Sequence, residues 1–70
     1  MSELLTPLSG KVMEVNIRVG DQVEKNQKVL TLESMKMEVP IYVENPGEVK
    51  QIMVNLGDTV NSGDVLAVVE

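Results

Sequence analysis

The sequence predicts an all-β fold: a flattened β-barrel or sandwich of two roughly four-stranded antiparallel sheets related by a pseudo-twofold axis. Three observations carry that expectation. Residues Gly10 to Glu33 recur without a gap as Gly47 to Glu70, at a constant offset of 37. Short alternations of apolar and polar residues stand where a helix would show a longer period. A Gly-Asp pair falls at the same point of each half, as Gly20-Asp21 and Gly57-Asp58, where a turn would separate strands. The 43% apolar content, dominated by Val, Leu and Ile with Tyr42 as the only aromatic residue, suits such a fold.

The elements follow in order. Leu4-Leu5 leads into the first half. Val15-x-Ile17-x-Val19 alternates as a half-buried strand does, and Ile52-x-Val54-x-Leu56 repeats the pattern. Val12 and Val49, three positions upstream of Val15 and Ile52, break that phase at the same place twice. A repeated phase break predicts a bulge or bend that carries the strand from one sheet toward the other. After each Gly-Asp turn, Val23 and Val60 mark a very short strand. Asn26 and Gly63 then occupy equivalent turn positions, and these are the two residue types that most readily take left-handed backbone angles.

Val29 to Leu32 and Val65 to Val69 complete the two halves as strands with few polar positions. Val39-x-Ile41-x-Val43 opens the second half. Pro40 within it has no N–H for a ladder, which predicts an edge strand or a bulge there. Sheets this short cannot bury their faces alone, so the two sets of strands should pack face to face or interlock. With 70 residues, positions 1–70 form one small domain near the lower limit for a self-sufficient core.

Composition narrows the chemistry. The chain has no cysteine and no histidine, so it lacks thiolate ligands, the commonest metal ligand and the usual general base. No plausible triad exists to activate a nucleophile, which argues against an independent enzyme. The net charge of −5 and the scattered Lys and Arg disfavour nucleic acid as a partner. No apolar run is long enough to insert in a membrane, and Met1-Ser2-Glu3 does not resemble a signal peptide. A cytoplasmic protein, monomeric in isolation, is expected.

One segment escapes the repeat. Glu33-Ser34-Met35-Lys36-Met37-Glu38 follows the first half, and the counterpart of Lys36 would fall beyond Glu70. The strand pattern puts Lys36 in the hairpin turn between the two halves. An exposed lysine taken alone is almost always a solvated charge. Two flanking methionines are less ordinary, because clustered exposed apolar side chains call for a reason. The plainer alternative has Met35 and Met37 folding back as gap-fillers. Glu33 and Glu38 read first as solvated carboxylates, although either could orient the hairpin within a partner. The Gly-Asp pairs read as turns, since no helix or carboxylate cluster follows them.

These residues resemble the biotinyl/lipoyl attachment domains, specifically the biotin carboxyl carrier type. The modification motif of that family, Glu-Ala/Ser-Met-Lys-Met, stands here as Glu33-Ser34-Met35-Lys36-Met37. The framework agrees at Gly10-x-Val12, Val19-Gly20-Asp21-x-Val23, Gly47-x-Val49, Leu56-Gly57-Asp58-x-Val60 and Gly63-Asp64-x-Leu66, from about Leu5 to Glu70. The resemblance implies covalent biotin on Lys36, with Met35 and Met37 as flanking recognition residues. It implies a non-catalytic carrier that moves a carboxyl group between biotin carboxylase and carboxyltransferase or decarboxylase sites, after loading by a biotin protein ligase. Leu8, Ser9 and Asn26 depart from the residues frequent in the family, and none touches the modification turn. The Ala/Pro-rich linker that often precedes such domains is absent, which suggests a stand-alone or excised unit.

Two other classes of protein share this barrel. A lipoyl carrier for 2-oxo acid dehydrogenases or glycine cleavage would usually have an aspartate before the lysine and a small residue after it. Here both neighbours are methionine. An unmodified barrel of the efflux-adaptor kind would sit within longer helical segments, and this sequence has none.

Overall fold

A computed structural model describes residues 2–70 and contains eight strands and no helix among them. They are β1 (Ser2–Leu5), β2 (Gly10–Val15), β3 (Gln22–Val23), β4 (Lys28–Ser34), β5 (Met37–Tyr42), β6 (Gly47–Ile52), β7 (Thr59–Val60) and β8 (Val65–Val69). Two four-stranded antiparallel sheets result, in the orders β1-β8-β6-β3 and β5-β4-β2-β7. Each sheet therefore takes two strands from each half of the sequence, a two-residue strand (β3 or β7) among them. The two halves interlock rather than stack as independent sheets, one of the two arrangements expected.

The repeat in sequence is a repeat in hydrogen bonds. Gly20 N–H donates to Val49 O at 2.8 Å, and 37 residues on Gly57 N–H donates to Val12 O at 2.8 Å. The return bonds match as well, from Val49 N–H to Asp21 O and from Val12 N–H to Asp58 O, both 2.8 Å. Each Gly-Asp turn is closed by its own carboxylate: Arg18 N–H donates to Asp21 Oδ2 and Asn55 N–H to Asp58 Oδ2, both at 2.9 Å. The glycines take φ of +97° at Gly20 and +91° at Gly57, as the turn chemistry required. Asn26, with φ +67°, performs the same service as Gly63 at +93°.

The predicted phase break is present in both halves. The β2–β4 register shifts between Val12 and Glu14, and the β6–β8 register shifts between Val49 and Gln51. An extra residue at Met13 and Lys50 bends each strand, so Val12 and Val15 can both face inward. The expected strand through Val19 and its equivalent through Leu56 needs correction. β2 ends at Val15 and β6 at Ile52, and the chain beyond leaves the sheet. Ile17 and Val54 still fill the core at 5% and 8% exposure, while Val19 and Leu56 are solvent-exposed. The alternation outlived the strand because only the nearer residue of each pair is pulled inward by the sandwich.

Pro40 lies on β5, the edge of its sheet, so the N–H it lacks removes no ladder bond from a central strand. The core is aliphatic and continuous between the sheets. Val12, Val23, Leu30, Leu32, Val49, Val60 and Leu66 are essentially inaccessible to solvent. Thr6 is buried among them, its hydroxyl donating to Leu8 O at 2.6 Å. Among the described residues no helix is long and apolar enough to cross a membrane.

Gly10 and Gly47 serve a different purpose from the turn glycines. A Cβ on Gly10 would stand 2.6 Å from Glu33 O, and one on Gly47 would stand 2.6 Å from Glu70 O. Backbone presses on backbone there, so no rotamer can relieve the clash. A Cβ at Gly20 meets nothing within 4 Å and faces only the positive φ. Gly20→Ala should cost about 1–2 kcal/mol. Gly10→Ala should cost about 2–3 kcal/mol, because β2 must move away from β4. Urea denaturation midpoints would check the order, and a neutral Gly10→Ala would contradict it.

Candidate functional site

The site is the tip of the β4–β5 hairpin, and the path of β4 explains why it projects. β4 is flanked by β5 and β2, and Val29, Leu30, Thr31 and Leu32 are buried. At Glu33 the strand reaches the surface, and Met35, Lys36, Met37 and Glu38 are all exposed. A rigid, deeply anchored strand thus delivers a short, fully solvated loop. Gly10 braces its base, passing closely enough that a Cβ there would lie 3.5 Å from Ser34 Cβ.

Ser34 and Met37 are register partners, so the loop consists of Met35 and Lys36 alone. Both take positive φ, +53° at Met35 and +63° at Lys36. Positive φ at both central residues is the signature of a type I′ turn, whose twist matches the flanking strands and which normally uses Asn-Gly. Methionine and lysine are poor choices for that backbone. The hairpin holds two strained residues at its tip, stabilised by the pairing of β4 with β5 from Lys28 to Tyr42. The strain was not visible in the sequence, because neither Met nor Lys signals positive φ.

The side chains agree with the expected placement. Met35 is 92% exposed and Met37 67% exposed, so neither folds back onto the sheet as a gap-filler. Lys36 is exposed between them. Among the described residues the ion pairs are Lys28–Glu14 at 4.0 Å and Lys50–Glu48 at 3.4 Å, leaving Lys36 without a carboxylate partner. Glu33 and Glu38 face one another across the two strands, one pair below the Ser34–Met37 pair that closes the turn, and Lys11 is the partner of Glu33 on β2. Like charges directly opposite destabilise a sheet modestly, so the pair makes an acidic collar at a small energetic cost.

The turn offers an outward-pointing primary amine flanked by two thioethers, and no enclosing pocket. A groove of about 460 Å³ runs between β1 and β5, lined by Leu5, Pro40, Ile41 and Tyr42 among others, and no residue of the turn contributes to it. An amine presented this way suits covalent acylation: a partner's active site can enclose it without disturbing a buried residue. Of the departures noted above, Ser9 has a local use. Its hydroxyl accepts from Ser62 N–H at 3.1 Å and ties the loop before β2 to the turn before β8.

Comparison with known proteins agrees with this geometry. The family profile described as "Biotin-requiring enzyme" matches residues 2–69. The chain is 49% identical over 59 residues to the "Biotin/lipoyl attachment protein" of Bacillus subtilis (strain 168), covering 84% of this chain and 81% of that one. It is 42% identical over 69 residues to the "Pyruvate carboxylase" of Staphylococcus aureus (strain Mu50 / ATCC 700699), covering 99% of this chain but 6% of the carboxylase. Among solved structures, the Kluyveromyces lactis urea carboxylase superposes with a TM-score of 0.91 at 32% identity, over 99% of this chain and 6% of that one.

The strained turn makes a directional prediction. Met35→Asn places a residue tolerant of left-handed angles at the first turn position and should stabilise the protein by about 0.5–1 kcal/mol. Met35→Val places a β-branched side chain there and should destabilise by a similar amount. Thermal unfolding midpoints should move in opposite directions. Equal shifts of one sign would contradict the reading.

Proposed function

The chain belongs to the biotin/lipoyl attachment family, and we propose that it serves there as a biotin carrier with the Lys36 ε-amine as the point of attachment. The observation that carries the proposal is the exposed two-residue turn that presents Lys36 between Met35 and Met37. Residues 1–70 act in this reading as a single biotinyl domain.

The residues fit the group on chemical grounds. Amide formation needs a primary amine that a ligase can surround, and Lys36 is exposed with no carboxylate partner among the described residues. In the loading step the Lys36 ammonium gives up one proton, the free Nζ attacks an activated carboxyl carbon and displaces the activating group, and a second proton leaves as Nζ becomes an amide nitrogen. Biotin, when bound, supplies the atom that takes up and releases a carboxyl group. The protein contributes everything else by position. β4 and β5 fix the base of the arm, and the four methylenes of Lys36 give it reach. Tethering raises the effective concentration of the cargo at the next active site. Met35 and Met37 supply an adaptable apolar contact for the enzymes that dock at the turn.

The partners that follow are a biotin protein ligase, a biotin carboxylase and a carboxyltransferase or decarboxylase. The chain itself is a non-catalytic carrier. A cytoplasmic setting and a monomeric state in isolation belong to the same proposal, and the net charge of −5 favours the second through mutual repulsion. The lipoyl alternative has less support, since the flanking residues are Met35 and Met37 and the similar pyruvate and urea carboxylases are carboxylases by name.

Co-expression with a biotin ligase should add one biotin, mapped by peptide mass spectrometry to Lys36. Lys36→Arg should abolish streptavidin binding with the unfolding midpoint essentially unchanged. Lipoyl on Lys36 with no detectable biotin would overturn the assignment. Amide formation also removes one cation, taking the formal net charge from −5 to −6. Loaded protein should focus at lower pH in isoelectric focusing, and an unchanged position on verified loaded protein would exclude an amine as the attachment point.

A further inference from the structure

We propose that Met35 and Met37 form a peroxide-sensitive modification site, at which sulfoxide formation weakens recognition of Lys36 while leaving the fold intact. The inference rests on the carrier reading above and adds a regulation of the same turn.

Methionine is distributed unusually in this protein. The four described methionines, Met13, Met35, Met37 and Met53, are all exposed, at 38%, 92%, 67% and 55%. None belongs to the core, which is built from Val, Leu, Ile and Ala. Methionine's common use as a gap-filler in irregular cores is therefore not its use here. The two most exposed of these four sit on either side of the candidate acceptor lysine. The sequence contains no cysteine, so no thiol in this chain competes for an oxidant.

The chemistry follows from that placement. A peroxide transfers one oxygen atom to the thioether sulfur. Its O–O bond breaks, the sulfur loses two electrons, and water or an alcohol leaves. The product is a polar, chiral sulfoxide in place of a flexible apolar side chain. In most proteins that change disrupts a core. Here the side chains of all four described methionines already face solvent, so folding is insensitive to their oxidation. The effect falls on binding, because a partner that buries Met35 or Met37 must then desolvate an S=O group for which its apolar surface has no donor. Dithiol-dependent methionine sulfoxide reductases reverse the step, returning the thioether with one disulfide and one water. Exposure ranks the sites, Met35 first and Met37 second.

The experiment treats the intact protein with hydrogen peroxide, removes the peroxide with catalase, and only then adds biotin ligase. Peptide mass spectrometry should find sulfoxide at Met35 before Met13. The ligation rate at Lys36 should fall about tenfold with the unfolding midpoint nearly constant. Treatment with both epimer-specific reductases should restore the rate. The double variant Met35→Leu/Met37→Leu, compared with its own untreated rate, should lose peroxide sensitivity. The Met13→Leu/Met53→Leu variant should keep it. An undiminished rate on protein carrying sulfoxide at Met35 and Met37 would overturn the inference, as would full sensitivity in Met35→Leu/Met37→Leu. Failure of untreated protein to be biotinylated at Lys36 would instead overturn the carrier reading, so the two failures are distinguishable.

Discussion

The exchange of backbone hydrogen bonds between the two Gly-Asp turns and the opposite halves of the chain is the constraint on which the structure depends. Gly20 and Asp21 bond to Val49, and Gly57 and Asp58 bond to Val12, so neither half closes its sheet without the other. Each turn needs a positive φ at glycine and a carboxylate that accepts a backbone N–H three residues back. The aliphatic core lies between the sheets that this exchange joins. A 70-residue chain with no disulfide and no metal-binding cysteine obtains a defined interior in this way.

The same arrangement frees one hairpin from architectural duty. The β4–β5 turn lies past Glu33, outside the segment that repeats. Stability is held by β4's buried middle, by the β2 contact at Gly10 and by the interlocked turns. The tip at Met35 and Lys36 can therefore carry left-handed backbone strain, exposed thioethers and an acidic collar at Glu33 and Glu38. Each of these is mildly unfavourable for folding. Together they are the cost of holding the Lys36 amine at one fixed, solvent-exposed place.

Much of this was legible in the residues. The 37-residue offset announced two equivalent halves, the displaced Val12 and Val49 announced the bulges, and Pro40 announced an edge strand. The motif around Lys36 pointed to the hairpin tip, where the structure puts it. What stayed hidden depended on context that a linear pattern does not carry. Val19 and Leu56 continued an apolar alternation after the backbone had left the sheet, so periodicity placed them in a strand and the structure places them in solvent. Thr6 is polar by type yet buried, because its hydroxyl is satisfied within two residues by Leu8. The positive φ at Met35 and Lys36 is imposed by the two-residue connection between β4 and β5 and has no signature in either residue.

The central claim is that this turn presents position 36 specifically, as distinct from displaying any exposed lysine. Exchanging the two loop residues, Met35→Lys with Lys36→Met, keeps composition, charge and loop length while moving the amine by one place. The account predicts an unfolding midpoint within experimental error of the parent and a biotin ligase rate reduced at least about a hundredfold, since a single step along a hairpin redirects a side chain to its other face. Ligation of the displaced lysine at the parental rate, on protein with an unchanged midpoint, would contradict it.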